Sequence, residues 1–179
     1  MKNIILLALL LVLYPIDAQN RFSSSKCMVY FEASVPLFEA VEAKNTEVEC
    51  TLIPHKSEIA FTVAIKKFQF KRNLMKEHFN SNYMESDRYP KASFKGIIEK
   101  FDLSLITDEE KDFYIKGKIT IHGQSRMITV LAKIKKAGKG ILINSYFTLN
   151  TDDFNIEIPS IVIAKISKKV NTHVVCVLN

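Results

Sequence analysis

Apolar residues recur at every second position along most of this chain, the period of a strand with one face on a core and the other in water. Cys27, Val29, Phe31 and Ala33 alternate with Met28, Tyr30 and Glu32, and Val48, Cys50 and Leu52 alternate with Glu47, Glu49 and Thr51. Ile59, Phe61, Val63 and Ile65 share the next face. The phase then flips across Lys66-Lys67 and Phe68 and Phe70 carry the apolar series on, which predicts a β-bulge in a long third strand. Further on, Ala92, Phe94, Gly96 and Ile98 form one face, and Phe113, Ile115, Gly117, Ile119 and Ile121 the next. After a turn at Gly123 come Ile128, Val130, Ala132 and Ile134; after Gly138 and Gly140 come Ile141, Ile143, Ser145, Phe147 and Leu149. Val170, Thr172, Val174, Cys176 and Leu178 close the series. Eight strands joined by short turns describe an antiparallel meander, not βαβ units.

One stretch departs from the two-residue period. Leu74, Met75, Phe79 and Tyr83 recur at helical spacing, predicting a short helix over residues 73–84, between strands three and four, with Asn73 as its N-cap. Tyr89-Pro90 restarts extended chain. Residues 159–167 read either as a short helix or as an irregular strand. An eight-stranded sheet with one apolar face can split into a sandwich or curl into a barrel, and closure removes the exposed edges. A barrel of this strand number is either filled by side chains or holds one small ligand. Ala92, Gly96, Gly117, Ala132 and Ser145 sit on the apolar phase, where small residues either leave room for a ligand or serve ordinary packing.

The N-terminus adds a compartment. Lys2, the apolar run from Ile4 to Leu13 and the small residue Ala18 follow the order of a secretory signal peptide, with cleavage expected after Ala18. The run is about half the roughly 20 residues that a membrane-spanning helix needs. Residues 1–18 are therefore read as a signal, and 19–179 as one exported domain. Lys2 and Asp17 leave together, so the net charge of +6 is unchanged. The lysines are scattered among strands, which suits solvated outer faces and secondarily attraction to a membrane surface; no nucleic-acid partner is expected. Cys27, Cys50 and Cys176 all fall on apolar phases, so buried inert thiols are the first reading and a Cys27–Cys176 bridge the alternative.

Catalytic and metal chemistry find little support. His55, His78, His122 and His173 lack metal-ligand spacing, and His122, beside Gly123, reads as a turn-stabilising side chain. Gly123-Gln124-Ser125-Arg126-Met127 joins two strands and lacks the final glycine of a nucleophile elbow. Asp108, Glu109, Glu110 and Asp112 surround Lys111 in what reads as a solvated turn. No catalytic residue, metal or cofactor is expected.

Three segments, in order, carry a family resemblance: Leu74-Met75-Lys76-Glu77-His78-Phe79, Tyr89-Pro90-Lys91-Ala92-Ser93-Phe94 and Gly117-Lys118-Ile119-Thr120-Ile121-His122-Gly123. Together they resemble the YceI-like, polyisoprenoid-binding family, over essentially all of the chain from Lys26 onward. The resemblance implies a lipocalin-like barrel whose tunnel holds a long isoprenoid chain, such as an isoprenoid quinone or a polyprenyl phosphate, in a bacterial periplasmic or secreted protein. Phe154-Asn155-Ile156 departs from the Phe-Gly pair common in relatives.

On that reading the tunnel is lined by Val29, Phe31, Ile59, Phe61, Val63, Ile65, Phe94, Ile98, Phe113, Ile115, Ile119, Ile121 and Phe147. Leu74, Met75, His78, Phe79 and Tyr83 of the helix would close one wall. Ordinary core packing makes the same demand for apolar side chains. Lys71, Arg72, Lys76 and Arg126 are the cations available to a phosphate head group. Two other readings compete: a stress or surface interaction module with a filled core and no ligand, and an enzyme with polar groups converging in a cavity.

Overall fold

Each long strand of this protein bonds to its neighbour in sequence, and the last bonds back to the first. The computed structural model describes residues 21–179, so the expected signal segment and its cleavage point lie outside them. The strands are β1 (Phe22–Ser34), β2 (Glu42–Ile53), β3 (Glu58–Ala64), a two-residue β4 (Gln69–Phe70), β5 (Lys91–Ile98), β6 (Lys111–Ile121), β7 (Gln124–Ala137), β8 (Gly140–Asn150) and β9 (Ile166–Leu178). β1 pairs antiparallel with both β2 and β9, closing an eight-stranded barrel to which β4 adds a short flap on β2.

The expected bulge at Lys66-Lys67 is corrected. Ile65–Lys67 form a 3₁₀ turn that ends β3, and β4 then resumes pairing with β2 at Ala43 and Lys44. The β1–β2 pairing carries two register shifts instead. Between Ser24 and Cys27, opposite Cys50 and Val48, β1 spends one residue more; Cys27 faces Val48 and Val29 faces Asn45, so there β2 spends one more. Asn45, fully buried, repairs the broken ladder there. Its Nδ2 donates to the Ala64 carbonyl at 3.0 Å, and its Oδ1 accepts from the Glu47 N–H at 2.9 Å.

The helix is present with a different grain. α1 (Asn73–His78) runs directly into a π-helical turn, Phe79–Tyr83, in which the Met84 N–H reaches the Phe79 carbonyl at 2.9 Å. Arg72, not Asn73, occupies the N-cap, and no side chain caps the helix. With β4 counted, the helix lies between β4 and β5. Residues 160–165 are neither helix nor strand but a run of turns, and β9 begins at Ile166.

Because the meander is antiparallel, its connections alternate between the two barrel ends. Residues 35–41, 65–90, 122–123 and 151–165 gather at one end, and residues 54–57, 99–110 and 138–139 at the other. The second end is solid. Leu52, Ile59, Ile98, Ile134 and Leu178 are buried there, and Ile106 drops in from the β5–β6 connection with Phe101 and Leu103 beside it. Cys27 and Cys176 form a disulfide between β1 and β9, so the alternative sequence reading holds for that pair. Cys50 remains a buried thiol within 4.8 Å of both sulfurs, and burial pushes its acidity well below that of a free cysteine.

Candidate functional site

The same inward phase that fills one end of the barrel leaves a cavity of about 450 Å³ towards the other. That size falls within the roughly 300–1,000 Å³ of ordinary small-molecule sites. The wall follows the strand alternation. β1 supplies Val29, Phe31 and Ala33, β3 supplies Phe61 and Val63, and Ile65 follows from the 3₁₀ turn. β5 adds Ala92 and Phe94; β6 adds Ile115, Ile119 and Ile121. Ile143, Ser145, Phe147 and Leu149 line it along β8, a run of about 20 Å at strand spacing.

The helix forms one side of the mouth. Met75, His78, Phe79 and Tyr83 reach the cavity, three of them spaced four apart and therefore on one helical face. Phe79 anchors that face: its ring stacks on Phe31 at 5.5 Å and meets Phe68 and Phe70 at 5.6 and 5.0 Å. The β8–β9 connection supplies the opposite side through Phe154, Ile156, Ile158 and Val162.

Four residues expected in the wall lie elsewhere. Ile59, Ile98 and Phe113 are on the correct strand phase but at the solid end, where Ile59 and Ile98 are buried and Phe113 packs on Phe101 at 5.9 Å. Alternation reports which face a residue occupies, not how far along the barrel axis it sits. Leu74 is 61% exposed because it stands one position, about 100° of helical rotation, from the Met75 face. The sequence reading also missed wall residues: Ile128 and Val130 of β7, Leu149 of β8, and Val170 and Val174 of β9. Their alternation was visible. The residues of the β8–β9 connection carry no comparable period.

Polar groups collect at the mouth. Glu39, His78, Asn150, Thr151, Lys165 and Ser167 border it, whereas Ser145, deeper in, already donates to the Leu131 carbonyl at 2.8 Å. Asn150 Oδ1 accepts from the Asp152 N–H, while the buried Thr151 hydroxyl has no partner among the described residues. Burial pushes the Tyr83 phenol up, so it is a neutral donor at ordinary pH. Of the cations considered for a head group, Arg72 is tied to Glu39 at 2.6 Å and Arg126 to the Ser125 carbonyl; Lys71, Lys76 and Arg126 stand outside the cavity wall. Lys165, not foreseen, lines the mouth. An apolar interior with a polar rim suits an amphiphile, its tail inward and its head at the opening.

The mouth loops are tied by one imidazole. His122, at the β6–β7 turn, places Nδ1 3.1 Å from the Phe154 carbonyl and Nε2 3.1 Å from Glu85 Oε1. Tyr89 packs edge-on against its ring at 4.6 Å, above Gly123, whose φ of +73° and lack of a side chain admit the tyrosine.

The YceI-like domain family model matches residues 17–178. Among solved structures, a polyisoprenoid binding domain from Saccharophagus degradans, implicated in plant cell wall breakdown, is similar at TM-score 0.76 and 12% identity, covering 89% of this chain and 97% of that one. Burkholderia cenocepacia BcnA is similar at TM-score 0.70 and 15% identity over 86% and 96% of the two chains. The Campylobacter jejuni YCEI protein follows at TM-score 0.56 and 18% identity over 70% and 75%. At these identities the likeness is one of fold. No curated protein matches the chain by sequence.

Proposed function

This chain belongs to the YceI-like family, and from that premise we propose that it binds a long isoprenoid chain, tail in the cavity and head at the mouth, for storage or transport outside the cytoplasm. The observation that carries the reading is the asymmetry of the barrel: one end is packed solid, and the other holds an apolar cavity opening among polar loops. An interaction module with a filled core has no use for such a space. The cargo is an isoprenoid quinone or a polyprenyl phosphate, and the protein binds it without turning it over. Export is supported by the order of charge, apolar run and small residue over residues 1–18.

Burying a methylene from water yields about 0.8 kcal/mol, yet the competing state of such a lipid is a bilayer, not water. The cavity therefore has to compete through close packing on the aromatic cluster and through the mouth's polar groups. Organic extracts of the gently purified protein, analysed by mass spectrometry beside a folded Phe61→Asp variant, test this directly. The expected result is a stoichiometric prenyl lipid in the wild type that is lost from the variant. Clean extracts, with no uptake of added quinone or polyprenyl phosphate, would overturn it.

A further inference from the structure

The side chains around the mouth do more than border it. Leu37 and Ile161 are 103% and 86% exposed, and Leu74, Ile163 and Phe38 are 61%, 49% and 46% exposed. They come from three separate connections, residues 35–41, α1 and residues 151–165, all at the open end. Of the large apolar side chains exposed elsewhere, Tyr146 stacks on His173 at 3.8 Å and Tyr114 lies opposite Leu131 across β6–β7, while at the closed end Leu105 is exposed in the β5–β6 connection. The rim residues instead project from loop tips around an opening.

We propose that this rim seats the barrel mouth-down on an anionic lipid bilayer. Isolated apolar tips on different loops suit a soft, non-directional medium; a folded partner would require one contiguous, shaped patch. The charges agree. Among the acids of the mouth segments, Glu39 is paired with Arg72 and Asp152 with Lys168. Lys71 and Lys76 beside Leu74, and Lys165 and Lys169 after Ile163, enter no ion pair among the described residues, against Glu77, Asp153 and Glu157 likewise unpaired. Apolar groups flanked by lysine are the composition that binds interfaces carrying anionic lipid.

The inference rests on the lipid-binding reading and deepens it. A prenyl chain that crossed water on its way from bilayer to cavity would lose the hydrophobic stabilisation of every methylene it exposed. A mouth pressed into the head-group layer removes that step, because the cavity wall continues the apolar phase of the membrane.

Flotation of the mature protein with vesicles of phosphatidylcholine, alone or mixed with phosphatidylglycerol, tests the proposal beside a Leu37→Asp/Ile161→Asp variant. Both positions lie outside the cavity wall, so uptake of a prenyl quinone from detergent solution serves as the control for folding and cargo binding. The wild type is expected to float with vesicles, more strongly with the anionic lipid and less at high salt. The variant should lose roughly tenfold or more in partitioning, from two buried aliphatic side chains forgone, while loading quinone normally. A wild type that loads quinone but floats with neither vesicle overturns the proposal, as does a variant that floats like the wild type. So does a wild-type dimer, seen by sedimentation, that the variant dissolves, because the tips would then cover one another. Vesicle binding without quinone uptake supports docking and counts against the carrier reading alone.

Discussion

Gly96 and Gly117 face each other across β5 and β6, and the ring of Phe94 lies over both. A Cβ at Gly117 would stand 2.7 Å from that ring and 2.5 Å from the Lys95 carbonyl, distances that no side chain tolerates. The glycines thus let an aromatic ring lie flat on the sheet as the floor of the cavity. Small residues on the inward phase left two readings open in the sequence, room for a ligand or ordinary packing, and the answer differs by position. Gly96 and Gly117 seat Phe94, Ala132 packs in the core, and Ala92 and Ser145 border the cavity. Gly117→Val is therefore expected to cost about 1–3 kcal/mol as an overpacked site and to drive Phe94 upward into the cavity. Urea midpoints and quinone stoichiometry would register the two effects. Wild-type values for both would show that Phe94 does not set the floor.

Among the elements, the mouth depends on connections that have little regular structure of their own. The helix is only six residues of α-helix and a π turn, uncapped, so its position derives from Phe79 among Phe31, Phe68 and Phe70. His122 does the same for the loops by joining the β6–β7 turn to Glu85 and Phe154. Both neighbours are acceptors. A protonated ring donates to both, and a neutral one to a single partner at a time. Loss of these bonds in His122→Ala should destabilise the fold by about 1–3 kcal/mol and speed amide exchange over residues 85–90 and 151–156, leaving the β7–β8 hairpin protected. Uniform acceleration across the barrel would assign His122 to global stability and not to the mouth.

At the scale of the whole molecule, closure joins the first long strand to the last. The Cys27–Cys176 disulfide reinforces that seam across 149 residues of sequence. A bridge closing so long a loop restricts the unfolded chain strongly, with typical effects of about 2–5 kcal/mol. A reductant, or the paired Cys27→Ser/Cys176→Ser change, should lower the urea midpoint accordingly. An unchanged midpoint would mean that strand pairing alone holds the seam. Cys50, protonated through burial, should stay unreactive towards alkylating agents until the barrel unfolds.

What the sequence determined by itself is the face of nearly every strand, because an alternating pattern can bury its apolar side in only one register sense. That was enough for eight antiparallel strands, the helix between them and most of the cavity's wall. It missed the first half of β2, since the bulge after Asn45 flips the phase and an inward asparagine reads as polar surface. Tertiary structure alone decided depth. Ile59 and Phe61 share a face two residues apart, yet one is sealed in the core and the other lines the cavity, because the β5–β6 connection plugs only one end. The pairing of Cys27 with Cys176 and the gathering of three loops into one mouth were decided there too. They depend on contacts between segments far apart in the chain, on which a local period carries no information.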